Sequence, residues 1–405
     1  MPAASRIGRG KTSCCPSTAL ILQHKRGVSQ GPRPDGRSPS TSLSVNRDAV
    51  VICRVQGSAL LHRRLSTAEA LDLQSPHALL VNELPADLSD TPFHLDSPSA
   101  SRLALSMAMK VRASRAGVHL FDRVSGLNIL LDEVDLTTQR LSVAPRYLSI
   151  ALTNACDLRC AYCFAPKNPD KLDVERVAAW AVELDDAGCL GLGFGGGEPT
   201  LHPQFAQLCA RVTESTSMAV TFTTHGHRLT RRLIDVLGGV VHFARLSVDG
   251  VGATYERLRR RPFSAVRAAA TLLRSVVPIG INTVVNADTI DELDDLAAFA
   301  ADAGASELLL LPEQPTAFTP GISKADTQRL VRWIRGTQTS VRLAISRSGL
   351  ETLLPVVEPI PAERPLDAHL HVDASGILRP NAFAPIGVPI EGSILDAVKA
   401  LKEEA

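Results

Sequence analysis

Tyr147–Phe164 reads YLSIALTNACDLRCAYCF. Its first six residues, Tyr147–Leu152, form a β-rich apolar run, which predicts a strand. Three cysteines follow at once, Cys156, Cys160 and Cys163, with three and then two residues between them. Asp157 and Arg159 lie among them, so the segment reads as a loop. Buried free cysteines behave as small hydrophobes and would have apolar neighbours instead. A strand that runs into a group of metal-ligand residues is typical of α/β proteins, where function gathers at the carboxyl ends of strands.

The alternation continues downstream. The pattern predicts a helix over Val174–Ala187, a strand over Leu190–Phe194, and a helix over Pro203–Thr213 with proline in its first turn. Strands at Ala219–Thr223, His242–Val248, Gly280–Val285 and Glu307–Leu311 follow. Helices are predicted at Thr230–Leu237, Ser264–Ser275, Ile290–Ala303 and Lys324–Ile334. Six strand–helix units with short connections imply a parallel sheet with right-handed crossovers. Either a doubly wound sheet or an incomplete (β/α) barrel satisfies that pattern.

The thiols narrow the choice of chemistry. Zinc wants a fourth Cys or His, and none lies close in sequence. Three thiolates on one tight loop suit an iron–sulfur cluster. A four-iron cluster with three protein ligands keeps one iron open to a small molecule. A CxxxCxxC loop after the first strand of a (β/α)6 array resembles the radical S-adenosylmethionine (SAM) superfamily. The resemblance implies a partial (β/α)6 TIM-type barrel with one [4Fe-4S] cluster on Cys156, Cys160 and Cys163. It also implies SAM on the open iron, reductive cleavage of its sulfonium, and a 5′-deoxyadenosyl radical that abstracts hydrogen from substrate. The cofactor carries that chemistry, and the protein orients it and excludes water.

Further motifs fit the resemblance. Tyr162 stands where the family places an aromatic near the adenine. Gly196, Gly197, Glu198 and Pro199, 33 residues after the triplet, match the family's GGEP motif at the SAM amino group. Glycine lets backbone approach a ligand closely, and a carboxylate pairs with an ammonium. Thr223, Thr224 and His225 fall near the expected ribose position. His225 and His227 at i, i+2 offer metal-ligand types, but loop histidines are usually solvated; His225 is otherwise a candidate substrate contact or proton donor. Ser247 and Asp249 match a Ser-x-Asp-Gly pattern, Ser247 as a SAM contact. Asp249 reads equally as a mouth residue or as a helix cap or turn. Asn282 or Asn286 is a candidate cofactor contact, and Glu313 a candidate substrate residue. Arg257, Arg259, Arg260 and Arg261 read as a solvated charge run, or else as a site for an acidic peptide or phosphate.

Composition bounds the rest. The 405 residues hold 43 Lys+Arg, 42 Asp+Glu and 8 Cys, with 45% hydrophobic and 4% aromatic residues. So few aromatics and so balanced a charge argue against a nucleic-acid or membrane-surface binder. No apolar run approaches the roughly 18 residues of a transmembrane helix. The first fifty residues carry a net +6, leaving −5 on the remainder. Residues 1–48 read as a disordered basic tail rich in Ser, Pro and Gly, or as an organelle transit peptide. Met107 and Met109, just before the chain becomes orderly, are candidate alternative starts. Residues 49–146 form an N-terminal region with a hairpin at 117–134, and 147–345 the radical SAM core. Residues 346–405 resemble a SPASM-like extension, with a hairpin of His369–Val372 and Ile377–Arg379 joined at Ser375-Gly376. In that extension a cysteine follows the proline; here Asn381 follows Pro380, and no cysteine occurs after Cys209. Cys14, Cys15, Cys53, Cys189 and Cys209 are scattered.

The function implied is radical chemistry on a peptide, in the manner of a maturase of ribosomally made peptides. A small metabolite or nucleotide is the alternative substrate. A non-catalytic redox or zinc-binding regulator is the alternative of another class. A low-potential donor such as flavodoxin or ferredoxin is the implied partner, and a reducing, cytoplasmic compartment the implied location. The cysteine count predicts a single cluster. Anaerobically reconstituted protein should hold about four irons per chain, and about eight would refute this.

Overall fold

The computed structural model describes residues 19–21, 50–55, 59–64, 109–131, 141–345, 360 and 363–404. The basic segment 1–48 therefore lies outside the described residues except at 19–21. The chain divides into two units. The smaller contains β1 (Ala19–Ile21), β2 (Val50–Val55), β3 (Ala59–Arg64), β4 (Lys110–Ser114), β5 (Gly117–Phe121) and β6 (Asn128–Leu131). β4, β5 and β6 form an antiparallel meander, and β1 adds parallel to β6.

In the larger unit the apolar run after Arg146 becomes β7 (Tyr147–Thr153). The chain continues as α1 (Val174–Asp186), β8 (Gly191–Gly196), α2 (Phe205–Ser215), β9 (Ala219–Thr224), α3 (Arg231–Leu237) and β10 (Phe243–Ser247). It then runs through α4 (Gly252–Arg259), α5 (Phe263–Arg274), β11 (Ile279–Val285), α6 (Leu293–Asp302), β12 (Glu307–Pro312), α7 (Lys324–Gly336) and β13 (Arg342–Ile345). Neighbouring strands from β7 to β13 pair in parallel and in chain order. The sequence pattern predicts six such strands; β13 is a seventh, extending the partial barrel at one edge. Helices α1, α2, α5 and α6 each bury an apolar stripe. In α1 this stripe is Val177, Ala178, Trp180, Ala181 and Leu184, and Asp173 caps the helix by accepting from the Arg176 N–H at 3.0 Å. Cys189 and Cys209 lie fully buried among these apolar side chains.

The other edge is closed from the far end of the chain. After α8 (Pro365–Ala368), β14 (His369–Val372) pairs parallel with β7. β15 (Ile377–Arg379) and β16 (Val388–Pro389) then add antiparallel. The turn between β14 and β15 is set by Asp373, whose Oδ1 accepts from the N–H groups of Ser375 and Ile377, with Gly376 at φ 86°. Helix α9 (Ile394–Glu403) buries Ile394, Ala397, Val398 and Leu401, and the Trp180 indole donates to Gly392 O at 3.3 Å. Arg146 forks onto Glu363 at 2.8 and 2.9 Å. No helix among the described residues is long and apolar enough to cross a membrane.

Two histidines sit in the β7–β14 seam. His371 Nδ1 lies 2.8 Å from Ser149 Oγ, and His369 stacks on Tyr147 with ring centroids 5.9 Å apart. Burial pushes both imidazoles down to about 4, with the Arg146 charge adding to the effect on His369. The unfolded chain takes up these protons near pH 6.5, whereas the folded chain refuses them until about 4. Between those values the unfolded state binds more protons, so stability falls as pH falls. Thermal melting across this window should show that slope, and His371→Gln should flatten it. An unchanged slope in the variant would contradict the assignment.

Candidate active site

The loop after β7 leaves and returns along the same strand. Asn154 N donates to Asp170 O at 2.9 Å and Leu172 N to Leu152 O at 2.9 Å. Leu158 and Ala165 are buried and anchor it from within. Cys156, Cys160 and Cys163 are all half-buried and free. The Leu158 N–H points at Cys156 Sγ at 3.4 Å, and Lys167 Nζ lies 3.2 Å from Cys163 Sγ. Burial pushes the Cys156 and Cys160 thiols up. Binding a metal would therefore release their protons.

The root of this loop is gripped by the end of β8. Gly197 N donates to Thr153 O at 2.7 Å and Glu198 N to Ala155 O at 2.8 Å. A Cβ on Gly197 would lie 2.3 Å from Ala155 O, and one on Gly196, at φ +119°, would lie 2.3 Å from Thr153 O. Both glycines are thus required by the approach of two backbone segments, beyond any approach to a ligand. Pro199 opens the short 3-10 turn Pro199–Leu201.

Glu198 is 1% exposed and engaged on both carboxylate oxygens. Oε1 accepts from Thr200 N at 3.2 Å, Thr200 Oγ1 at 2.6 Å and Thr224 Oγ1 at 2.7 Å. Oε2 accepts from His225 N at 2.9 Å. The carboxylate predicted to meet an ammonium thus also ties β8 to β9. His225 is buried, not solvated; its Nε2 lies 2.8 Å from Asp157 Oδ1 and 3.3 Å from Glu198 Oε2. Arg228 and Arg261 also pair with Asp157. His227 meets the Tyr255 hydroxyl at 2.8 Å, and burial lowers its imidazole to about 4. Cys156, Asp157 and His225 bring ligand-type atoms within 4.8 Å of one another. Cys160 and Cys163 lie outside that trio.

On the next strand end, Asp249 is 1% exposed and neither caps a helix nor closes a turn. Its Oδ1 accepts from Val284 N at 2.7 Å, and its Oδ2 receives both the Tyr162 hydroxyl and the Arg259 guanidinium. Tyr162, two residues after Cys160, is thereby tied to β10 and β11. The arginine run splits accordingly. Arg257 and Arg260 are exposed, Arg261 is half-buried, and the Arg259 side chain is 11% exposed with its charge over the Tyr162 ring at 5.9 Å. The charge run is therefore not uniformly solvated. Its signal in the sequence is Tyr255, buried and four residues before Arg259 on the same helix face.

Ser247 and Asn282 are register partners on β10 and β11. Asn282 Oδ1 is buried with no protein partner, as is Arg259 Nε. Asn286 instead serves its own loop, accepting from Asp288 N at 3.0 Å and Thr289 N at 3.2 Å. Glu313, at the end of β12, is buried and accepts from the Thr319 hydroxyl.

A parallel partial barrel whose first strand leads into three free thiols defines a class of site. The family profile of the radical SAM superfamily matches residues 150–300. The chain is 34% identical over 134 residues to GTP 3′,8-cyclase of Chlorobaculum tepidum, covering 32% of this chain and 38% of that one. It is 31% identical over 171 residues to mycofactocin maturase MftC of Mycolicibacterium smegmatis, covering 40% and 43%. It therefore spans about two fifths of the length of these curated relatives. Streptococcus suis SuiB, solved bound to its precursor peptide SuiA, shares the fold at TM-score 0.57 and 14% identity, over 71% of this chain and 86% of that one.

Gly197→Ala should break the grip on the cysteine loop, because the new methyl group meets backbone that cannot rotate away. We expect a loss of about 1–3 kcal/mol in stability and of most bound iron after reconstitution. Thermal melting and iron analysis would check this. Full iron loading in the variant would contradict it.

Proposed function

We propose that the protein is a radical SAM enzyme that reductively cleaves SAM at one [4Fe-4S] cluster and abstracts hydrogen from a peptide. The observation that carries this reading is the trio of free, half-buried thiols on a loop rooted by backbone bonds at the strand ends. The donor set fits the cluster, since three thiols suit a four-iron group with one open iron. The unpartnered Asn282 Oδ1 and Arg259 Nε fit a polar ligand beside it. When bound, the cluster supplies the electron that breaks the sulfonium bond.

The chain's residues do the holding. Cys156, Cys160 and Cys163 would ligate the cluster. Tyr162 would serve the adenine, and Gly196, Gly197, Glu198 and Pro199 the amino group. Thr224, Ser247 and Asn282 would complete the SAM contacts, while Asp249 would act on the site through Tyr162. A flavodoxin or ferredoxin supplies the electron, and the compartment is cytoplasmic.

A peptide substrate is supported by the maturase relative and by a fold that in SuiB accommodates a precursor peptide. The cyclase similarity supports a nucleotide as the second reading. Reconstituted, reduced protein given SAM should release 5′-deoxyadenosine, and Cys160→Ala should abolish release. No release from wild type, with the variant indistinguishable, would leave the redox or zinc-regulator reading, for which Cys156, Asp157 and His225 are the nearest trio. A precursor peptide encoded beside the gene should emerge with a mass change in the full assay. A change in GTP alone would favour the nucleotide.

A further inference from the structure

Arg259 and Asp249 form an ion pair beside the cysteine loop, and nearly all of it is removed from water. Asp249 is 1% exposed and the Arg259 side chain 11%. Charges so placed act over longer distances than surface charges, because neither water nor salt screens them well. Both charges meet the loop at one residue, Tyr162. Arg259 lies over Tyr162, between Cys160 and Cys163 in sequence, and Asp249 takes the Tyr162 hydroxyl.

We infer that this buried pair tunes the reduction potential of the cluster, Arg259 raising it and Asp249 lowering it, with Tyr162 holding both charges against the cysteine loop. Reducing a cluster adds one negative charge. A fixed cation nearby stabilises the reduced form and a fixed anion destabilises it, and net charge is among the factors that set such potentials. Arg259 is on this account a positioning and electrostatic residue, not a ligand. The inference rests on the one-cluster reading above.

The test is the midpoint potential of reconstituted full-length protein, followed by the electron paramagnetic resonance signal of the reduced cluster during a redox titration without SAM. Arg259→Met should shift the midpoint to more negative potential and Asp249→Asn to more positive potential. Arg259→Lys, which keeps the charge but loses the fork, should stay near wild type. A purely structural role would move both neutralising variants the same way, through disturbed or lost clusters. Shifts of one sign, or none, would overturn the inference. If one neutralising variant assembles no cluster, the other decides: a shift of the expected sign supports the inference, and no shift or the opposite one overturns it. Wild-type protein that assembles no iron–sulfur cluster would instead sink the enzyme reading itself.

Discussion

Two backbone hydrogen bonds, Gly197 N to Thr153 O and Glu198 N to Ala155 O, are what the site depends on. They weld the end of β8 to the root of the cysteine loop, and they form only because neither Gly196 nor Gly197 carries a side chain. From that weld the rest follows in order. Glu198 is carried into the interior, where Thr224 and His225 from β9 close on its carboxylate. His225 reaches back to Asp157, one residue after Cys156. Two successive strand ends thus restrain the start of the loop, while Asp249 restrains its end through Tyr162. Such restraint would orient the three thiols toward a single bound group, because a supporting shell sets how well ligands are oriented.

The periodic part of the fold was legible from residue order alone. Ala219–Thr224 and Ile279–Val285 are apolar, β-branched runs between helices with clear stripes, and they became strands. The hairpin around Ser375-Gly376 declared itself by turn chemistry, which Asp373 supplies locally. β13 was missed because its four residues, Arg342–Ile345, carry too little pattern to separate a strand from a loop. The site was legible as motifs, since each is a short local string. What the strings do to one another was not. The roles of Asp249 and Arg259 depend on a tyrosine 87 residues upstream of Asp249, and RLRRR looks the same whether or not one of its arginines is inside.

The C-terminal extension gains a different meaning from its pairing. Its hairpin carries no cysteine, yet it shields the edge of β7, the strand that launches the cysteine loop. Phe383, from the segment after β15, also meets Phe164 directly after Cys163, with ring centroids 4.5 Å apart. This cysteine-free hairpin supplies a sheet edge and an aromatic contact.

That pairing has a kinetic side. His369 lies opposite Tyr147, so the central strand waits for a partner made more than two hundred residues later. Contacts of such sequence separation form slowly, because the loop-closure entropy must be met first. During synthesis β7 has β8 on one side and an open ladder on the other, the kind of edge that recruits stray strands. The strand that bears the cysteine loop is therefore enclosed on this side only once residues 369–372 have been made.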